Sequence, residues 1–119
     1  NLKAPTTING KTAVAALSST SETNVLVNAS ASGKALRITS LFVANIDGTN
    51  NADITIKYYQ AASGGTGYAI ASTLAVPADS TVVLLTREQS LWLEENTRIT
   101  AQASAANDLT VVCSYEDVS

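Results

Sequence analysis

The 119-residue sequence contains no histidine and no methionine, a single cysteine and two prolines, and only 14% of it is charged. Without histidine it lacks the commonest general base and the commonest metal ligand, so no Ser/His/Asp or Cys/His set can be assembled and no histidine pH switch exists. An enzyme would have to work through carboxylate, lysine or tyrosine with no visible motif, and the chain is read as not an enzyme. One cysteine excludes an intramolecular disulfide. Cys113 shares its parity with Leu109, Val111 and Tyr115, which marks it as a small buried hydrophobe. Seven basic residues against ten acidic ones, scattered and with a net charge of −3, exclude the dense basic patch that nucleic acid or an anionic membrane requires. No apolar run reaches the length of a membrane span. The sequence starts at Asn1 and not at methionine, which is read as a processed or trimmed terminus and leaves a removed targeting segment open.

What is present is apolar aliphatic sequence dressed in Ser, Thr, Asn, Gln and Ala. Hydrophobic residues make up 45% of the chain, mainly Ala, Val, Leu and Ile. A surface so poor in charge suits a rigid protein packed against neighbours better than one kept apart by repulsion. The length fits one domain with its own core.

Lys34 to Gln60 organises the sequence. Leu36, Ile38, Phe42, Ala44 and Ile46 share one parity, with Ser40 interrupting it, and Ile54, Ile56 and Tyr58 repeat the pattern opposite Asp53, Thr55 and Lys57. With Asp47-Gly48-Thr49-Asn50-Asn51 between them, the two arms are expected to form a hairpin. Leu41 and Val43 make the first arm apolar on both faces, the mark of a strand that is central or covered by a neighbouring subunit.

Around this unit, Asn1 to Lys11 is read as an extended arm, and residues 12–119 as a single β domain. Strands are predicted over Thr12–Leu17, Glu22–Asn28, Tyr68–Val76, Thr81–Thr86 (again apolar on both faces), Leu91–Leu93, Arg98–Ala103 and Leu109–Tyr115. Polar or Gly-rich turns separate them, and Ala61–Gly67 is the most flexible of these. No ten-residue segment keeps a helical period. Thr86–Ser90 is the one candidate helical turn. About eight short strands predict an all-β antiparallel β-sandwich, jelly-roll or immunoglobulin-like.

Candidate sites each carry a plain alternative. Glu94 and Glu95 are a carboxylate pair in sequence, but neighbours on a strand point to opposite faces, so a solvated turn is expected. Asp47, Asn50, Asn51 and Asp53 offer oxygen ligands without the order of a calcium loop, and no metal or cofactor is assigned. Trp92 with Tyr58, Tyr59, Tyr68 and Tyr115 could build an aromatic platform for a sugar or a peptide. If Leu91 and Leu93 pack inward, Trp92 is exposed or sits in an interface. Asn28-Ala29-Ser30 matches a glycosylation sequon.

The order of pieces Leu74-Ala75-Val76-Pro77-Ala78-Asp79-Ser80, Ser90-Leu91-Trp92-Leu93-Glu94-Glu95-Asn96 and Thr100–Asn107 before Leu109–Asp117, with its Ser-Tyr-Glu-Asp ending, resembles a family of small virion structural proteins of tailed bacteriophages. Thr23–Asn28 and the Ile38–Asn45 strand fit the same layout, and the likeness covers most of residues 20–117. Such proteins often carry Gly-Asp where this chain has Glu95-Asn96. The resemblance implies a β-sandwich on the surface of the phage particle, made in the bacterial host cytoplasm. Its role there would be that of a capsid cement or decoration protein, which bridges major capsid protein subunits by surface burial, or else of a tail, neck or fibre component. It also implies a homo-oligomer, dimer or trimer. A carbohydrate-binding module is the competing reading. On the assembly reading, Trp92, Leu41 and Val43 are expected at subunit contacts, and Leu2 and Pro5 of the arm on a partner.

Overall fold

A computed structural model describes residues 7–119. Among these residues the chain forms nine strands and one 3-10 turn: β1 (Ile8–Ala16), β2 (Thr23–Asn28), β3 (Ala35–Asn45), β4 (Ala52–Tyr59), β5 (Gly67–Val76), β6 (Thr81–Leu85), the turn Arg87–Gln89, β7 (Leu91–Leu93), β8 (Thr97–Ala103) and β9 (Leu109–Val118). All strand pairs are antiparallel. One sheet runs β1-β9-β3-β6 with β7 also on β3, and the other runs β2-β8-β4-β5. Only β4 and β5 are sequence neighbours that pair as a hairpin, and this strand order is that of a jelly roll, not of an immunoglobulin sandwich. The helical turn expected near Thr86–Ser90 is present. Among the described residues no helix is long and apolar enough to cross a membrane.

The core lies between the sheets. Leu36, Ile38, Leu41, Val43, Val111 and Cys113 face it from the first sheet, and Ile54, Ile56, Ile99 and Ala101 meet them from the second. In β4 the alternation is as read: Ile54 and Ile56 are buried, and Thr55 and Lys57 are only partly so. The hairpin expected between β3 and β4 is absent, because these strands belong to opposite sheets. The turn chemistry between them is nonetheless the one the sequence signals. Asp47 Oδ1 accepts the backbone N–H groups of Thr49 (2.8 Å) and Asn50 (3.2 Å), an Asx turn. The buried amide of Asn45 donates to the carbonyls of Asn50 (3.0 Å) and Val76 (2.9 Å), tying the crossing to the next turn.

The strand boundaries differ from expectation at both ends of the domain. Residues 8–11 were expected in an arm but form the first part of β1, where Ile8 faces Val118 and Lys11 faces Tyr115. The rest of the expected arm, with Leu2 and Pro5, lies outside the described residues, apart from Thr7. Thr7 and Ser119 exchange backbone hydrogen bonds of 2.9 Å in both directions, which closes this pair of strands. Likewise β9 runs through the polar Glu116 and Asp117. Asp117 can point inward because the Lys11 and Lys34 ammoniums meet its Oδ2 at 3.1 and 3.2 Å.

Candidate functional site

The register of the first sheet fixes which side chains share its outer face. Val14 of β1 stands opposite Val112 of β9, Val112 opposite Phe42 of β3, and Phe42 opposite Val83 of β6. These four alternate with core residues on their own strands, so they form one apolar row across the outside of the sheet. Its ends are open, with Val14 65% and Val83 58% exposed. The row on one side is Ala16, Thr110, Ala44 and Thr81. On the other side stand Thr12, Ser114 and Ser40, and beyond them Gly10, Glu116, Arg37 and Trp92. The face therefore presents an apolar stripe between uncharged small residues, with one charged row at its edge.

That charged row is neutral by construction. Arg37 donates through Nη1 to Glu116 Oε1 at 3.3 Å and through Nε to Ser90 Oγ at 3.2 Å. A shallow concavity of about 720 Å³ lies on the same face, walled by Phe42, Val83, Leu85 and Arg87 with Ser40 and Ser114 in its lining.

Trp92 sits as the conditional reading required: Leu93 is fully buried, Leu91 is half-buried against the core, and Trp92 is 49% exposed between them. Leu41 and Val43, expected at subunit contacts, are instead fully enclosed in the chain's own core. A bulge explains the difference. The pairing of β3 with β9 shifts between Ile38 and Ser40, which inserts Thr39 as an extra residue whose hydroxyl donates to the Ser114 carbonyl at 3.1 Å. Leu36 and Ile38 face inward before the bulge and Leu41 and Val43 after it, which turns Phe42 and Ala44 outward. The signal was Ser40 itself, the residue at which the apolar parity breaks. The 3-10 turn between β6 and β7 falls beside the same stretch, since β7 pairs with Leu36–Ile38 and β6 with Leu41–Ala44.

The outer face of the second sheet is built differently. Arg98 is 8% exposed although it points away from the core, because Tyr59 and the Ala61–Gly67 loop cover it. Its guanidinium stacks 3.8 Å from the Tyr59 ring centroid and donates to the carbonyls of Ala61 (2.6 Å) and Gly64 (3.0 Å). Tyr59 in turn donates to Glu22 Oε2 at 2.6 Å, and Thr100 donates to the same oxygen. These two bonds hold the Glu22 carboxyl below its usual range, and the bond to Glu22 raises the Tyr59 phenol. Gly67 lies so close under the ring that a Cβ there would sit 2.7 Å from Tyr59 Cζ. The network fastens the glycine-rich loop to β8. Its partners are mutually satisfied, and it presents no reactive group.

The remaining sequence candidates do not converge. Tyr58 packs against the core, Tyr59 is buried under Arg98's loop, Tyr68 is exposed on β5, Tyr115 is half-buried in the other sheet, and Trp92 lies on that sheet's outer face, so no aromatic platform forms. Asn28 of the sequon is 2% exposed, its amide donating to the carbonyls of Lys34 and Leu93 at 2.9 Å each, so it cannot accept a glycan in the folded chain. Glu95 accepts the Gly33 N–H at 2.9 Å and helps to hold a turn. Asp47 serves its own turn while Asp53 lies on the second sheet, and among the described residues no group of three or more His, Cys, Asp or Glu is placed to hold a metal ion.

No protein-family model and no curated protein matches the sequence. Among solved structures, the whole chain superposes on 97% of a chain from a structure titled "Bacillus endospore appendages form a novel family of disulfide-linked pili", with a TM-score of 0.55 and 17% identity. Of this chain, 98% superposes on 90% of a chain from the "Acidic stable capsid structure of Helicobacter pylori bacteriophage KHP30", with a TM-score of 0.54 and 9% identity. The likeness is one of fold, and it spans essentially the full length of all the chains compared.

Proposed function

We propose that this chain is a structural subunit of a bacteriophage particle, a capsid decoration or cement protein, whose working part is the outer face of its first sheet. The observation that carries this reading is the row Val14, Val112, Phe42 and Val83: apolar, exposed at both ends and flanked by small uncharged residues. A sheet face left in water is ordinarily polar, and a row of this kind is stabilised when another surface covers it. The fold shared with a chain of a phage capsid structure and the soft resemblance of its turn motifs to small virion proteins support the same direction.

Such a subunit acts without chemistry. Each copy buries surface against the major capsid protein or its neighbours, and a contribution of only ~1 kcal/mol per contact accumulates over the many equivalent sites of a shell. The fold shared with a pilus chain favours a second reading within the same class, a fibre or tail component assembled through the same face.

The test is co-sedimentation with purified shells of the particle that carries the protein. Trp92→Ala is expected to keep the circular dichroism and melting behaviour of the parent and to reduce the bound fraction. A variant that misfolds yet binds normally, or a parent chain that never sediments with shells, overturns the proposal.

A further inference from the structure

The outer face of the first sheet also carries enough information to name what covers it. We propose that two copies of the chain pack there, sheet on sheet, about a two-fold axis running across the strands along the row Val14, Val112, Phe42 and Val83. This rests on the reading of that face as an assembly surface and specifies its occupant.

The first argument is the nature of β6. It is an edge strand of the sheet, yet its side chains are apolar on both faces: Val82 and Leu84 pack toward the core while Val83 stands 58% exposed outside. An edge strand of that kind extends the apolar row to the rim of the sheet, where a partner sheet of equal width can cover all of it. Four strands about 4.8 Å apart and four two-residue steps of about 6.8 Å give a patch of roughly 500 Å². Two such patches bury on the order of 1,000 Å² together, the lower bound for a specific interface and the size of a reversible dimer.

The second argument is charge. An isologous contact brings a surface against itself, so it must be self-complementary, and a chain of net charge −3 offers few such places. On this face Arg37 is paired with Glu116, and the 3-10 turn at the rim adds Arg87 and Glu88, one of each sign. The acidic excess lies elsewhere. The turns carrying Asp47, Asp79 and Asp108 are hydrogen-bonded together at one end of the sandwich, Asp79 N–H to the Asp47 carbonyl and Ile46 N–H to the Asp108 carbonyl. A two-fold axis parallel to the strands would set two such ends side by side. An axis across the strands sets them at opposite ends of the dimer, so electrostatics selects it. In that arrangement each residue of the row meets its own counterpart, Val83 against Val83 and Phe42 against Phe42, with the sheets about 10 Å apart.

Self-opposition gives a sharp test by sedimentation velocity of the full chain at concentrations up to about 200 µM, the range in which an interface of this size is populated. The parent is expected to dimerise reversibly. Val83→Lys and Val83→Glu, both at an exposed position and checked for native circular dichroism, are each expected to weaken the dimer by at least roughly tenfold, since like charges then face one another. An equimolar mixture of the two is expected to recover association as a mixed dimer. Tyr68→Lys, at an exposed position on the other sheet, is expected to change nothing.

A parent that stays monomeric throughout, a dimer indifferent to both Val83 variants, or a mixture that fails to recover would each overturn the inference. Shell binding separates this from the broader reading. A monomeric parent whose binding to shells is still lost in Val83→Lys removes the dimer and keeps the assembly face. A dimer that behaves as expected but never binds shells does the reverse.

Discussion

Cys113 is enclosed between the sheets, and burial pushes its thiol up to about 12. The thiolate is the reactive form, so at pH 8 a soluble disulfide reagent is expected to modify the folded chain only through opening of the sandwich, at a rate orders of magnitude below that of the urea-unfolded chain. Equal rates in the two states would contradict the packing. Glu22 reports on a different part of the molecule. Its folded pKa is lowered by the bonds from Thr100 and Tyr59, so its contribution to stability is present above the unfolded value near pH 4 and is lost as pH falls through the lowered folded one. Asp117 acts on the same limb: burial raises its pKa, but the Lys11 and Lys34 ammoniums outweigh that and leave it lowered. Glu22→Gln is therefore expected to flatten, though not abolish, the fall in urea midpoint between about pH 4 and pH 2. An unchanged acid limb would show that the bonds from Tyr59 and Thr100 do not depend on the charge.

At the scale of elements, the bulge at Thr39 decides what the first sheet shows to its surroundings. Deleting Thr39 would take out the extra residue and set Leu36, Ile38, Leu41 and Val43 on one regular period of two, in register with β9. The deletion is expected to keep these four side chains in the core and to preserve a cooperative melt, and a product that no longer melts cooperatively would remove the bulge from the account. The same residue shows how far the sequence could be read. Alternation is local, so the strands, the turn residues and the two bifacial strands were visible in it, as was the all-β class. A bulge is a non-local event, settled by pairing with β9, and an unbroken parity count through Ser40 assigned Leu41 and Val43 to the wrong side. The missing hairpin has a similar cause. Asp47 forms the Asx turn its neighbours announce, but whether the next strand returns to the same sheet or crosses to the other depends on the whole jelly roll. Trp92 was legible because Leu91 and Leu93 flank it and only one side of a strand can enter the core. Val14, Phe42, Val83 and Val112 were not, since only their register makes them a row.

For the whole molecule, the account is that a charge-poor jelly roll acts through one sheet face. The second sheet carries the Arg98, Tyr59 and Glu22 network that fastens its loop, and its exposed apolar residues, Val27, Tyr68, Ile70 and Leu74, are confined to its edge strands β2 and β5. The first sheet keeps its apolar row outside. The difference between the two faces is the physical content of the functional reading, and it can be measured without knowing the partner in advance. Hydroxyl-radical footprinting of the free chain, diluted to where it is monomeric, and of the assembled particle compares side-chain reactivity residue by residue. Protection concentrated at Val14, Phe42, Val83 and Trp92, with Tyr68 on the second sheet labelled equally in both states, is the result the account predicts. Unchanged labelling of the first-sheet residues with protection moved to Tyr68 would contradict it.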